Sequence, residues 1–568
     1  MSSGSREGGW RGRYLSLQGL IVLAMLMLCG RVVTLHLFNR DFLQREGDKR
    51  TLREEKIPAY RGLVLDRHGH PLAVSTPVVS LWTDPRILAR HENRWPELRQ
   101  ALGARWPALE TRLREAIVAG RHFMWIRRSM TPVAAQAILD RAVPGVHGRP
   151  EYRRYYPAGK VAAHLVGLTD IDDVGQEGME LALDDWLTGV SGVRRVLKDR
   201  RGQVIREPDL VRSAEPGREV HLALDIRLQY LAYRELERAV RQHRARAASL
   251  VMLDARTGEV LAMVNQPASN PNNRASISPL SLRNRAITDE FEPGSVVKPL
   301  VMAAALQSKR YSHDSRIRVS PGYLRVGRSL VRDHRDYGTL DLAGILQHSS
   351  NVGLSRLALD LGAESLVSFY QQLGLGQITG VIFPGEAAGS LPVRQHWAPI
   401  ETATLSFGYG VTVTMLQLAR AYMVLANQGQ MLSVSLLRRD EPAQAYRVIS
   451  ADVAAHVLTM MQKVVREGTA RRARIAGYKV AGKTGTTRKL EAGKYSSKEH
   501  RALFAGVVPA DRPRIVMVVM VDAPREGGYY GGLVAAPVFA QVARGTLRLL
   551  GVPPDGAPDQ ARGLEAVP

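Results

Sequence analysis

The sequence predicts an α+β protein behind a single N-terminal transmembrane helix. Three observations carry this: an uncharged apolar run near the N-terminus, hairpin-patterned strands at both ends of a roughly 330-residue unit, and helical periodicity between them. The apolar run is Tyr14 to Gly30; Arg31 interrupts it and VVTLHLF extends it to Phe38. At 1.5 Å per residue, 17 residues span roughly 25 Å, and the extension covers a bilayer. Arg31 can snorkel toward the headgroups. No small-x-small cleavage site follows, which argues against a removed signal peptide. Bulky Leu28 before Cys29 argues against a lipoprotein anchor. The reading is a cytoplasmic tail over 1–13 and a span over 14–38. Arg6, Arg11 and Arg13 before the span face Arg40, Arg45, Lys49 and Arg50 after it, so charge alone does not orient the helix.

Residues 39–218 mix short strand-like runs with Gly and Pro turns, and Asp66–Gly69 reads as a turn between two β segments. Residues 100–140 read as helical. Ser213–Arg218 is a turn-rich link to a second unit, 219–551. There, Asp225 to Arg241 has helical spacing with Asp225 as N-cap. Ser249–Asp254 and Glu259–Asn265 form a hairpin about Arg256-Thr257-Gly258. Ala502–Val508 and Arg514–Val521 form another, and a helix follows from about Pro537 to Leu550. One sheet then joins the two ends of the unit. Residues 552–568 read as a disordered tail.

Composition narrows the function. The chain has 568 residues, suggesting three or four domains, and is 45% hydrophobic and 23% charged, as ordinary globular proteins are. Its net charge of +24 suits anionic partners such as acidic headgroups or an envelope polymer. The Arg and Lys are spread without a basic run or known motif, so nucleic acid is not expected as a partner. Cys29 is the sole cysteine, which excludes an intramolecular disulfide and Cys-based metal sites but leaves the compartment open. No metal or cofactor is expected.

Three short motifs carry chemistry. In Glu292-Pro293-Gly294-Ser295-Val296-Val297-Lys298, Pro and Gly make a sharp entry and put Ser295 at a helix N-terminus. Lys298 lies three residues on, on the same face. The helix dipole and burial both favour a neutral amine able to activate the hydroxyl. The bland reading is an N-cap serine with a surface lysine. Ser349-Ser350-Asn351 is either a second polar element of a site or a helix cap. Lys483-Thr484-Gly485-Thr486 falls where a strand is plausible. Gly485 would let another backbone approach, and Lys483 with two hydroxyls would make a carboxylate pocket. Its bland reading is a β-turn with a solvated lysine. Each motif alone is weak.

Their order and spacing resemble the serine acyl-transferases called penicillin-binding proteins, which share a fold with class A β-lactamases. Arg61–Arg67 with Leu72-Ala73, Arg154–Gly159 and Gly175–Glu180 look like boxes of the class B N-terminal module. Phe291–Ser295, Phe383–Glu386 and Phe407–Gly410 match the division-specific branch, penicillin-binding protein 3. The resemblance covers about residues 14–551, with no glycosyltransferase module upstream. It implies an elongated pedestal or dimerisation-type module over 39–218. Over 219–551 it implies a transpeptidase domain with a β-lactamase-like antiparallel sheet and helices on both sides.

The resemblance also implies a mechanism. Ser295 would attack the D-Ala-D-Ala bond of a peptidoglycan stem peptide and Lys298 would take its proton. Ser349 would relay a proton to the departing D-Ala, and Asn351 would hold the substrate amide. Lys483, Thr484 and Thr486 would bind the terminal carboxylate beside Gly485. The Ser295 and Thr486 amides would form the oxyanion hole. β-Lactams would acylate Ser295. Tyr409, Tyr529 and Tyr530 would wall the cleft or be half-buried packing residues, and Arg488 is a candidate carboxylate or drug contact. The expected setting is the bacterial inner membrane, with the body in the periplasm, at the septum. Expected partners are a SEDS-type glycan polymerase and other division proteins. A β-lactamase would be shorter and soluble. A D,D-carboxypeptidase differs only in its acceptor, and the motifs do not separate it from a transpeptidase. A scaffold or β-lactam sensor would not need all of Ser295, Lys298, Ser349 and Lys483.

Overall fold

The computed structural model describes residues 8–38, 40–42, 52–198, 204–491 and 493–555. Most of the expected tails, 1–7 and 556–568, lies outside the described residues. Residues 552–555, expected as the start of a disordered tail, are tied to the body. The Tyr478 hydroxyl donates to the Val552 carbonyl at 2.6 Å, and the Asp555 amide donates to Gly477 at 2.9 Å.

Two compact units are present: residues 1–59 with 189–216, and 60–188 with 217–568. The first contains α1 (Gly8–Val33), which continues as a wider π turn over Thr34–Phe38. Arg13–Leu37 has a mean hydropathy of 2.2, long and apolar enough to cross a membrane. The same unit holds a three-stranded antiparallel sheet of β1 (Leu52–Ile57), Gly192–Lys198 and Val204–Arg212.

The second unit begins with β2 (Val64–Leu65) and β3 (Pro71–Thr83), the hairpin expected about Asp66–Gly69. Buried Asp66 closes that turn by accepting from the His68 and His70 amides, both at 2.8 Å. Helices α2 (Trp95–Leu102) and α3 (Trp106–Val118) follow, then β4 (Met124–Met130), α4 (Pro132–Leu139) and β5 (Val146–Tyr155). The helical expectation for 100–140 is therefore corrected at 124–130. Met124 and Ile126 point inward while Trp125 pairs with Trp82 of β3, the two-residue period of a half-buried strand. These elements enclose their own small core around Leu81, Leu98, Trp106, Leu113 and Ile126.

Three residues from the separate N-terminal boxes meet in a buried ionic cluster. Glu180 receives Arg61 Nε and Arg154 Nε, each at 2.6 Å, and all three side chains are almost fully buried. Arg61 also reaches Asp184 at 2.7 Å, the Thr188 hydroxyl and the Glu180 carbonyl.

After β6 (Val220–His221), parallel to β2, comes α5 (Ile226–Gln242). Asp225 caps it as expected, accepting from the Arg227 amide. β7 (Ala247–Asp254) and β8 (Val260–Gln266) form the expected hairpin. The helices α6 (Lys298–Gln307), α7 (Leu342–His348), α8 (Asn351–Leu361), α9 (Met415–Ala426) and α10 (Ala451–Glu467) come next. The chain then returns to the same sheet with β9 (Ala481–Glu491), β10 (Lys494–Val508) and β11 (Ile515–Asp522), and ends in α11 (Gly531–Leu549). The order is β8-β7-β11-β10-β9, antiparallel throughout, so both ends of the unit share one sheet. Every residue of β7, β8 and β11 is buried, which requires cover on both faces. α5 and α11 pack together on the sheet, and α9 with α10 supply the other cover. β9 is left as an edge strand.

The last helix starts at Gly531, six residues before the expected start at Pro537, which lies inside it. The Gly531-Gly532 pair explains the early start. A Cβ on Gly531 would lie 2.2 Å from the Leu503 carbonyl oxygen, so the helix opens hard against the sheet.

Candidate active site

The nucleophile candidate sits on a single 3₁₀ turn, Gly294–Val297, which runs directly into α6. Two glycines let this turn lie where it does. Gly294 has φ +59°, and a Cβ on Gly408 (φ +79°) would lie 2.4 Å from the Gly294 carbonyl oxygen. The Phe407–Gly410 segment is thus a buttress for the serine turn, and Gly294 donates to the Gly408 carbonyl at 3.1 Å. Phe291 and Val413 exchange both backbone hydrogen bonds at 3.0 Å. Glu292 accepts from the Gly410 amide at 2.9 Å and the Tyr495 hydroxyl at 3.0 Å.

The three motifs converge on one oxygen, the Ser349 hydroxyl. It lies 3.4 Å from the Ser295 hydroxyl, 3.1 Å from Lys298 Nζ and 3.1 Å from Lys483 Nζ. Ser349 occupies a left-handed conformation (φ +55°) between α7 and α8, which turns its side chain into this junction. Lys298 Nζ also donates to the Ser349 carbonyl and to Asn351 Oδ1, both at 2.7 Å. Asn351 Nδ2 donates to the Arg332 carbonyl at 3.2 Å. Lys483 Nζ donates in addition to the Thr484 carbonyl at 3.1 Å.

Both amines are fully buried. Burial pushes Lys298 well below the usual lysine range, and the Lys483 charge pushes it further, against a smaller opposing pull from Asp333. Burial alone brings Lys483 down to about 7. A neutral Lys298 has two protons for its two 2.7 Å acceptors and a lone pair left for the Ser349 hydroxyl.

The Lys483–Thr486 motif lies on edge strand β9, as expected. A Cβ on Gly485 would approach Val296 Cγ1 to 2.9 Å, so this glycine lets the strand lie against the serine turn. Thr484 Oγ1 is 2.9 Å from Thr469 Oγ1, and Thr486 Oγ1 accepts from the Gly531 amide at 3.0 Å, leaving the Thr486 hydroxyl proton to donate.

A cleft of about 920 Å³ opens over these groups, lined by Ser295, Ser349, Asn351, Thr484, Gly485 and Thr486, with the two lysines beneath. Tyr409, Arg488, Tyr529 and Tyr530 all line it. They belong to aromatic pairs: Tyr409 meets Tyr495 edge-on at 5.7 Å, and Tyr529 stacks between His500 at 4.1 Å and Tyr530 at 4.6 Å.

Sequence reasoning missed Asp333. Its carboxylate accepts from the Asn351 amide at 2.6 Å, the Val352 amide at 3.0 Å and the Ser350 hydroxyl, and so fixes the start of α8. It lies 16 residues before Ser349 in a polar stretch that carries no motif.

Among the described residues, no group of His, Cys, Asp and Glu could hold a metal ion. The pH dependence of free-enzyme acylation should follow the two buried amines. The rate should rise as Lys298 loses its proton and fall on the alkaline side, from about pH 7, as Lys483 loses its charge. The pH dependence of acylation by benzylpenicillin checks this, and a profile flat from pH 5 to 9 would refute it.

Comparison with known proteins follows the same lines. The family model for the penicillin-binding protein transpeptidase domain matches residues 248–544, and that for the penicillin-binding protein dimerisation domain matches 56–222. A Pseudomonas aeruginosa protein named probable peptidoglycan D,D-transpeptidase PbpC is 40% identical over 96% of this chain and 97% of its own. Escherichia coli peptidoglycan D,D-transpeptidase FtsI is 42% identical over 96% of this chain and 92% of its own. Among solved structures, Mycobacterium penicillin-binding protein 3 in complex with aztreonam aligns with a TM-score of 0.69 at 28% identity, covering 88% of this chain and 98% of that one. The transpeptidase domain of Burkholderia pseudomallei penicillin-binding protein 3 aligns at 0.55 and 38% identity, covering 59% of this chain and 97% of that one.

Proposed function

The chain belongs to the penicillin-binding protein transpeptidases, and on that premise we propose that it is a peptidoglycan D,D-transpeptidase acting through an acyl-enzyme on Ser295. The observation that carries the reading is the Ser349 hydroxyl, contacted by Ser295 and by two buried amines.

In this reading the Ser295 proton passes to Ser349 as the Ser349 proton passes to neutral Lys298. This reading inserts Ser349 into the transfer expected from the sequence, because its hydroxyl lies 3.4 Å from Ser295 Oγ and 3.1 Å from Lys298 Nζ and serves as the relay once its own proton turns from Ser295 to the Lys298 lone pair. Ser295 Oγ bonds to the carbonyl carbon between the two D-alanines, the C–N bond breaks, and the proton returns through Ser349 to the leaving amine. Lys483, Thr484 and Thr486 bind the terminal carboxylate. Asn351 orients Lys298 and meets the substrate amide. The Ser295 and Thr486 amides hold the oxyanion, a donor pair of which each member is worth roughly 10²–10³ in rate. The stem peptide adds to the open edge of β9. β-Lactams enter as mimics of the same acyl group.

The proposal places α1 across the inner membrane with the body in the periplasm, at the septum, beside a SEDS-type glycan polymerase. The apolar length of α1 supports the span, and the Phe291–Ser295 and Phe407–Gly410 matches support the septal role. Sidewall-only localisation of a tagged copy would exclude the septal part. Incubation with peptidoglycan bearing stem pentapeptides tests the reaction. The expected result is D-alanine release matched by cross-linked dimers. Release with no cross-links would make the enzyme a carboxypeptidase, with water as acceptor.

A further inference from the structure

The serine turn changes helix type at one carbonyl. Gly294–Val297 is a 3₁₀ turn, and α6 begins at Lys298. The Lys298 amide donates to the Ser295 carbonyl, the i to i+3 bond of a 3₁₀ helix. The next bond of that series would join the residue 299 amide to the Val296 carbonyl. Residue 299 is proline, which has no N–H. Val297 is the N-cap of α6, so its carbonyl is the first to accept an α-helical bond. The Val296 carbonyl falls between the two bonding patterns, on a residue that is fully buried. A buried carbonyl in that place needs a donor from elsewhere.

Tyr422 of α9 supplies it. Its hydroxyl donates to the Val296 carbonyl at 2.6 Å. The Tyr422 side chain is itself fully buried, and burial pushes its hydroxyl well above the usual tyrosine range, so the donated proton stays in place. The helix type matters for the chemistry. In a 3₁₀ turn residues i and i+3 eclipse, which puts Ser295 and Lys298 on one line. In an α-helix the same two side chains are offset by about 60°. The Ser349 hydroxyl stands 3.4 Å from Ser295 Oγ and 3.1 Å from Lys298 Nζ, so the eclipsed pair meets one oxygen.

We propose that Tyr422 is a positioning residue: its hydroxyl takes the place of the amide that Pro299 lacks, holds the serine turn in the 3₁₀ form, and so keeps Ser295 and Lys298 aligned on the Ser349 hydroxyl. This rests on the acyl-enzyme reading above. Tyr422 acts through the Val296 carbonyl, one residue from the nucleophile and two from the base. Without the phenol proton that carbonyl is left to the Leu300 amide, its i+4 donor, and the turn relaxes toward the α form.

The test is Tyr422→Phe in the full-length protein in detergent, a change that removes one oxygen and keeps the ring. Acylation by a chromogenic cephalosporin is followed by stopped flow over a range of concentrations, which separates the binding constant from the acylation rate constant. End-point labelling with a fluorescent penicillin counts the molecules able to acylate, so the rate constant is read per competent molecule even in a partly unfolded sample. The expected result is a rate constant lower by roughly tenfold with an unchanged binding constant. The acid limb of its pH profile stays where the wild type has it, because Lys298 remains buried. An unchanged rate constant, or a loss confined to binding, overturns the positioning role. A loss confined to the number of competent molecules also overturns it, since Tyr422 would then be structural only. So does an acid limb moved to higher pH, which would mean that water reaches Lys298 and returns it toward an ordinary lysine. A wild type that is never acylated defeats the acyl-enzyme reading itself, whatever Tyr422 does.

Discussion

Lys298→Met leaves the protein folded and slows acylation of Ser295 by roughly 10²–10⁴-fold, the range for removal of a general base. Methionine is close to lysine in length and is at home in a buried site, so packing is kept. What is lost is the amine that joins the Ser349 hydroxyl, the Ser349 carbonyl and Asn351. The Ser295 proton then has no base at the end of its route. A stopped-flow or gel-based time course with a fluorescent penicillin measures the rate, and a thermal melt confirms the fold. A variant that acylates at the wild-type rate would show that Lys298 is structural only.

Glu180→Ala carries the second large effect, and it falls on stability. Arg61 and Arg154 are buried and share this one carboxylate at 2.6 Å each. Removing it strands two guanidiniums in a site with little water. Breaking a buried pair in this way costs about 3–5 kcal/mol. The damage should begin in the Tyr60–Thr188 region, where the network lies, and appear as rapid proteolysis there together with a lower melting temperature. An unchanged melting temperature and cleavage pattern would mean that water reaches the cluster and that its geometry contributes little.

Sequence reading succeeded where the signal was local. Asp225 before a periodic run marked its own cap, and hairpin turns with Gly or Pro marked the strands on either side. Ser295 and Lys298 share a turn, so their proximity was also legible. The strand Met124–Met130 was hidden because it is short and stands between helices. The early start of the last helix was hidden by Pro537, and its reason, close packing of Gly531 on the sheet, is a tertiary contact. The same holds at the site. Asp333, the Gly294–Gly408 contact and the central place of the Ser349 hydroxyl all depend on segments distant in sequence, and no pattern within one segment encodes them.

Mass spectrometry of the full-length protein after treatment with excess benzylpenicillin tests the central claim most directly. The account predicts one added penicilloyl group, located by proteolytic mapping on the peptide that contains Ser295 and absent from Ser295→Ala. An adduct on another residue, or none on a folded protein, would contradict it.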